Sequence, residues 1–225
     1  MTGQGEPTAP RSARPRRAAF LDRDGVINVD HGYVSRIADF DFIPGVQAAA
    51  AELSRQGLAI VVVTNQAGIG RGMYTESDFD VLTDWMCGQF AQAGVPVAGV
   101  YHCPHHPTLA IGALRQVCDC RKPAPGMLLD AARDLDLDLA GSVLFGDKCD
   151  DMRAGLAAGV GLRVFLGKDG HAVPEEPCTE GQASLRHASL AAAVADSALR
   201  ARLGLSGNWS PPPAVARLPA FGPAL

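Results

Sequence analysis

The chain has 225 residues, 47% of them hydrophobic and 20% charged, with a net charge of -4. That length carries one full α/β core and is borderline for two. The charge supplies no broad basic face, which argues against nucleic acid as a partner, and no apolar run approaches the ~20 residues needed to cross a bilayer.

Residues 1–16, rich in Pro, Arg and Ser, are expected to form a disordered tail. Its "RSARPRR" is basic, but Asp22 arrives before any continuous apolar stretch, so no secretory signal is expected and the cytoplasm is the default location. "AAFL" is a short strand, and "PGVQAAAAELSRQG" a helix that starts after Pro44 and ends at Gly57. "LAIVVVTN", nearly all apolar and rich in β-branched residues, reads as a buried strand. In "TESDFDVLTDWMCGQFAQAG", Thr75 is placed to cap a helix, and Phe79, Leu82, Trp85, Met86 and Phe90 recur at helical spacing. "VAGVYHC", "SVLFGD" and "LRVFLG" are further strands, interleaved with the helices "PGMLLDAARDLDL" and "CDDMRAGLAAG". "SLAAAVADSALRARLG" predicts one last helix, and residues 206–225 a Pro-rich irregular tail that includes Trp209. Strands alternating with helices of this length predict an α/β domain over residues 17–205, a Rossmann-like three-layer sandwich around a mostly parallel sheet.

In such sheets ligands gather at the carboxyl ends of the strands. "FLDRD", "VVVTN" and "VLFGDK" each place polar residues just after a strand. Asp22 and Asp24 are two apart, so an extended backbone directs both to one face, and Asp147 can join them. Converging carboxylates suit Mg²⁺, a hard cation that prefers oxygen ligands. Thr64 and Asn65 offer a hydroxyl and an amide, and Lys122 and Lys148 positive charge. Together they make a site for a phosphoryl group, whose negative oxygens the metal and a lysine would neutralise. Asp151 reads equally well as support for the metal or Lys148 and as an ordinary acidic residue at a helix N-terminus.

Of the six cysteines, Cys103, Cys118 and Cys120 lie close to His102, His105 and His106. In a reducing compartment that grouping points to metal rather than to crosslinks. Three thiolates and one imidazole make a closed tetrahedral zinc site of structural type, and spacing does not choose between His105 and His106. "CDC" runs straight into Arg121 and Lys122, so a zinc loop would stiffen the segment that presents them. Cys87 and Cys149 read as small buried hydrophobes, and Cys178 as a free thiol.

"FLDRDGVIN", "VVVTN", "RKPAPGM" and "VLFGDKCDDMRAG" resemble the four signatures of the haloacid dehalogenase-like phosphatases. The resemblance implies that Asp22 is the nucleophile, forming an aspartyl-phosphate, and that Asp24 is the general acid/base. It implies that Thr64 and Lys122 contact the phosphoryl oxygens, and that Asp22, the Asp24 carbonyl and Asp147 hold Mg²⁺. Val26 departs from the threonine usual after Asp-Gly, which should modify the loop rather than abolish the site. A zinc loop in this place is similar to two branches, the D-glycero-D-manno-heptose-1,7-bisphosphate 7-phosphatases and the histidinol-phosphate phosphatases. "NVDHGYV", "TNQAGIGRG" followed by "TE", and the long interval between His105 and Cys118 favour the first. That likeness makes His105 the zinc ligand with Cys103, Cys118 and Cys120. It assigns Asp30, His31, Gly32 and Tyr33 to the sugar, with Asn65, Gln66 and Lys148 also at the substrate, and Arg121 to the distal phosphate. The chain has no large insert where relatives carry a cap, so an open site, a small phosphorylated sugar as substrate and a monomer are expected. A histidinol-phosphate or other small sugar-phosphate phosphatase is the alternative, and a non-catalytic zinc-stabilised interaction module the reading from another class.

Overall fold

The computed structural model describes residues 15–171, 178 and 183–212. Six strands form one fully parallel sheet: β1 (Ala18–Leu21), β2 (Ala59–Asn65), β3 (Val97–Cys103), β4 (Val143–Gly146), β5 (Leu162–Leu166) and β6 (Leu185–His187). Their order is β3-β2-β1-β4-β5-β6. The chain therefore builds outward from β1 first to one side and then to the other, leaving a crevice at the carboxyl ends of β1, β2 and β4.

Among the described residues seven α-helices connect and cover the sheet: α1 (Val46–Arg55), α2 (Ala67–Gly70), α3 (Glu76–Gln92), α4 (Gly126–Leu135), α5 (Cys149–Ala158), α6 (Leu190–Ala195) and α7 (Ser197–Leu203). Both faces of the sheet are buried, which is why β1, and β2 as far as Val63, are apolar instead of alternating. In β1, Ala19 and Leu21 join a core with α1, α3, α6 and α7. Ala18 and Phe20 face the opposite core, under α4 and α5. The result is the expected three-layer sandwich. Thr75 caps α3 as expected, its hydroxyl accepting from Asp78 N at 3.1 Å while Asp78 Oδ2 accepts from Thr75 N at 2.8 Å.

Four expectations need correction. The last helix is two: Asp196 is extended and its carboxylate accepts from Ala198 N at 3.0 Å, ending α6 and capping α7. Strand β6 was not foreseen, being only three residues long. Cys149 and Cys178 are bonded as a disulfide, their Cα atoms 5.4 Å apart, so Cys178 is not a free thiol and Cys149 is not simply a buried hydrophobe. Trp209, expected in the irregular tail, packs half-buried against the α1/α3 core.

That end of the chain is held by a buried ion pair. Arg200 Nη2 lies 2.9 Å from Glu52 Oε1, and the same guanidinium donates to the carbonyls of Ser206 and Gly207 at 2.6 and 2.8 Å. At the other end, Arg16 bonds with both Asp136 and Asp138, one residue ahead of the expected boundary. The parts of the expected tails at residues 1–14 and 213–225 lie outside the described residues.

Candidate active site

Strand β1 ends at Leu21, and Asp22 still donates its N–H to the Phe145 carbonyl of β4 at 3.0 Å. The sheet ladder thus fixes the first aspartate beside the end of β4, where Asp147 follows. Gly25 makes this approach possible. It has φ +92°, and a Cβ there would stand 2.2 Å from Asp147 Oδ2. Asp22, Asp147 and Asp151 are all buried and each brings a carboxylate oxygen within 4.8 Å of the others.

Lys122 lies among them. Its Nζ is 3.0 Å from Asp22 Oδ1 and 2.5 Å from Asp151 Oδ1, and it donates to the Val63 carbonyl at 2.8 Å. The lysine is steered there by Asn65 at the end of β2. Asn65 accepts from Lys122 N at 3.1 Å and donates to Lys122 O at 3.0 Å, across a segment whose Lys122–Pro123 peptide is cis. Asp151 also accepts from Lys148 N at 3.0 Å, so both of its oxygens are engaged by the two lysine positions. This resolves the ambiguity over Asp151: it is buried and orders Lys122, a role that acidic residues in a helix's first turn do not announce in sequence.

Burial alone would push the Asp22 carboxyl up, but Lys122 and Lys148 outweigh it and hold it below the usual carboxylate range. Asp22 is therefore an anion ready to act as a nucleophile. Asp147 goes the other way. Burial, with the Asp22 charge added, pushes it up to about 8, and its Oδ1 is buried with no hydrogen-bond partner. That oxygen has only the Lys148 ammonium, 3.6 Å away, for a neighbouring cation, and a carboxylate oxygen without a hydrogen bond beside a second carboxylate is a donor set that fits a hard divalent cation.

The Asp24 carboxylate lies outside this carboxylate cluster and is held in a separate network. Its carboxylate accepts from Asn28 Nδ2 at 3.0 Å, from Gln66 Nε2 at 3.1 Å and from the Arg23 guanidinium. Gln66 also donates to Thr64 Oγ1 at 2.8 Å and accepts from the Tyr74 hydroxyl at 2.5 Å. Burial pushes Tyr74 up to about 12, so it remains a donor.

These residues line a cavity of about 400 Å³, within the usual range for small-molecule sites. Asp22, Asp24, Thr64 and Lys122 lie on it, and so do Asp30, Gly32, Tyr33, Asn65, Gln66, Arg121 and Lys148. Asp147 sits beneath the lining. His31 does not reach this cavity: its Nε2 turns to Asp41 Oδ2 at 3.0 Å and it lines a neighbouring hollow. Arg71 and Tyr74, from the segment that follows "TNQAGIG", also line the cavity, as does His106, which the sequence offered only as an alternative zinc ligand. Arg71 stacks its guanidinium 5.0 Å over the Tyr33 ring and donates to the Tyr33 hydroxyl. His106 is held below the usual imidazole value by burial, with Arg121 and Arg71 adding to it. Val26, the departure from the family pattern, is buried in the core away from the cavity.

The second cluster joins Cys103 at the end of β3 to the segment leading into Arg121. Cys103, Cys118 and Cys120 sulfurs lie 3.2–3.5 Å from one another, and His105 Nδ1 is 3.6 Å from Cys103 and 3.3 Å from Cys120. Those separations match the edges of a slightly contracted tetrahedron around a metal bound by three sulfurs and one nitrogen. The open choice of histidine is thereby made: His105 joins the sulfurs, while His106 Nδ1 accepts from Leu109 N at 3.0 Å. Burial pushes the Cys103 thiol well up, so a cation binding here displaces its proton. Arg121 Nη1 donates to the His105 carbonyl at 3.1 Å, which ties the cluster to the cavity wall.

Comparison with known proteins agrees with this geometry. Residues 119–195 match the HAD-hydrolase-like family model. The chain is 55% identical over 149 residues to the D-glycero-beta-D-manno-heptose-1,7-bisphosphate 7-phosphatase of Escherichia coli strain K12, covering 66% of this chain and 78% of that protein. To the protein of the same name from Yersinia pestis it is 52% identical, with 66% and 79% covered. Among solved structures, the D,D-heptose 1,7-bisphosphate phosphatase of B. bronchiseptica, complexed with magnesium and phosphate, superposes with a TM-score of 0.66. It is 32% identical over 79% of this chain and 96% of that one. By its sheet topology, its carboxylate–lysine cluster and these relatives, the chain belongs to the D-glycero-D-manno-heptose-1,7-bisphosphate 7-phosphatase family of the haloacid dehalogenase-like hydrolases.

Proposed function

We propose that this protein removes the 7-phosphate of D-glycero-D-manno-heptose 1,7-bisphosphate, leaving heptose 1-phosphate. The observation that carries the reading is the ionised Asp22 held 3.0 Å from Lys122 at the floor of a cavity with Arg71, Arg121 and Lys148 on its walls. Asp22 attacks phosphorus, and the electron pair of the breaking P–O bond goes to the sugar oxygen, which takes a proton from Asp24. Asp24, now a base, then takes a proton from the water that releases phosphate from the aspartyl-phosphate. Lys122 and Thr64 steady the transferring phosphoryl oxygens. Asp30, Gly32 and Tyr33 face the sugar, with Arg121 at the distal phosphate.

Asp22, the Asp24 carbonyl and Asp147 would hold Mg²⁺, which when bound supplies positive charge against the phosphoryl oxygens. Cys103, His105, Cys118 and Cys120 would hold a structural Zn²⁺. The names of the relatives favour the beta anomer. Among the described residues no helix is long and apolar enough to cross a membrane, which is compatible with the cytoplasmic monomer this reading assumes. The test is a panel of both heptose bisphosphate anomers and histidinol phosphate, each with and without Mg²⁺. The reading requires the highest kcat/KM on a heptose bisphosphate and dependence on Mg²⁺. A preference for histidinol phosphate would reject it in favour of the neighbouring branch.

A further inference from the structure

The residue between the two aspartates reads in sequence as a spacer. In the structure Arg23 is 2% exposed and among the largest fully buried side chains. Its Nη2 donates to Asp24 Oδ1 and Oδ2 at 3.0 and 2.9 Å, and its Nε to Asp24 Oδ2 at 3.2 Å. The same Nη2 also donates to the Val34 carbonyl at 2.7 Å. On the other side the guanidinium lies 5.9 Å from the Phe79 ring centroid, and Nη1 is buried with no partner. A buried guanidinium with one counter-charge and an orphaned donor is a poor stabilising device, since an apolar side chain of that volume carries no such desolvation cost.

What the position does achieve is a connection. Val34 closes the loop Asn28–Val34, whose Asp30, Gly32 and Tyr33 line the cavity. One nitrogen of Arg23 therefore touches both the end of that loop and the carboxylate of Asp24. Gln66 also donates to Asp24, at 3.1 Å, and so does Asn28, at 3.0 Å, which ties in the loop's first residue; the contact that belongs to Arg23 is the one with Val34 at the loop's far end.

We propose that Arg23 is a positioning residue that couples the seating of the substrate loop to the orientation of Asp24 toward the leaving sugar oxygen. This rests on the reading of Asp22 as nucleophile and Asp24 as acid. Arg23 transfers no proton itself. As the Asp22–phosphorus bond forms and the phosphorus–oxygen bond breaks, the electron pair and the Asp24 proton both go to the sugar oxygen, and Arg23 remains a cation throughout.

The test exploits leaving groups that differ in their need for that proton. A sugar alkoxide requires it, whereas p-nitrophenolate departs largely unassisted. Initial rates are measured for the full chain and for D24N, R23Q, R23K and R23Q/D24N, on heptose 1,7-bisphosphate and on p-nitrophenyl phosphate. If Arg23 acts through Asp24, R23Q lowers kcat on the sugar by roughly 10²-fold, a general-acid-sized loss, with a much smaller loss on the aryl ester. R23Q/D24N then loses no more than D24N alone. R23K keeps the charge but not the planar fork and shows the same substrate imbalance in milder form, which carries the test if R23Q does not fold. Equal losses on the two substrates, or additive losses in the double variant, would mean that Arg23 is merely structural and would overturn the proposal. If D24N itself shows no imbalance between the substrates, the assignment of Asp24 fails, and the coupling fails with it.

Discussion

Replacing Lys122 by methionine removes one ammonium and leaves three buried carboxylates facing one another. At an effective dielectric of about 20, the Asp22 contact at 3.0 Å corresponds to roughly 5.5 kcal/mol of attraction and the Asp151 contact at 2.5 Å to roughly 6.6. Much of this offsets the cost of burying the charges, so truncating one partner has a net effect of about 3–5 kcal/mol. For a chain of this size that lowers Tm by about 6–20 °C. The side chain's own balance agrees: burial alone would push the ammonium down, yet Asp151 and Asp22 hold it up. The assay is thermal unfolding by circular dichroism in magnesium-free buffer and again with Mg²⁺. In Lys122→Met the cation replaces part of the missing charge, so Mg²⁺ should raise its Tm more than that of the unaltered protein. Activity should fall by roughly 10²–10³-fold, because phosphoryl charge in the transition state loses a donor. A Tm change under about 2 °C, or an equal response to Mg²⁺, would refute the electrostatic account of the cluster.

Three other outcomes follow from named contacts. The Asp147 carboxyl ionises near 3.8 when unfolded but is held up to about 8 in the folded metal-free protein. Between those values the folded state keeps a proton that the unfolded state has lost, so Asp147 lowers stability as pH rises. Asp147→Asn should flatten that fall in a Tm–pH series, and Mg²⁺ should stabilise the unaltered protein more at pH 8 than at pH 5. Cys118→Ser with Cys120→Ser should abolish zinc binding measured by metal analysis, lower Tm, and raise KM through misplacement of Arg121; unchanged melting and kinetics would reject a structural metal. Arg200→Ala leaves the Glu52 carboxylate to Arg55 at 2.7 Å and Gln56 at 2.9 Å but frees the Ser206 and Gly207 carbonyls, a loss of about 1–3 kcal/mol in denaturant titration, with kcat unchanged because the pair is remote from the cavity.

The centre of the sheet was legible because β1, β2 and β4 are apolar runs stopped by a polar residue, and that pattern follows from burial on both faces. The same stops located Asp22, Thr64 and Asp147. Tertiary geometry decided what the pattern did not. Asp196 sits in a continuous Ala/Leu periodicity, and only its cap bond to Ala198 shows that the helix breaks. Asp151 has the composition of any acidic helix start, and its pairing with Lys122 arises from the fold. His31 shares a motif with Asp30 and Tyr33, yet the fold of the loop turns its ring to Asp41 and out of the cavity. Cys149 and Cys178, 29 residues apart in sequence, gave no local sign of being bonded.

The most direct test of the central claim is a phosphorus NMR time course of heptose 1,7-bisphosphate hydrolysis by the unaltered protein and by Asp22→Asn. The account predicts loss of the 7-phosphate signal, retention of the 1-phosphate signal and growth of inorganic phosphate with the unaltered protein, and no turnover with the variant. Release of the 1-phosphate first, or turnover by Asp22→Asn at a comparable rate, would contradict it.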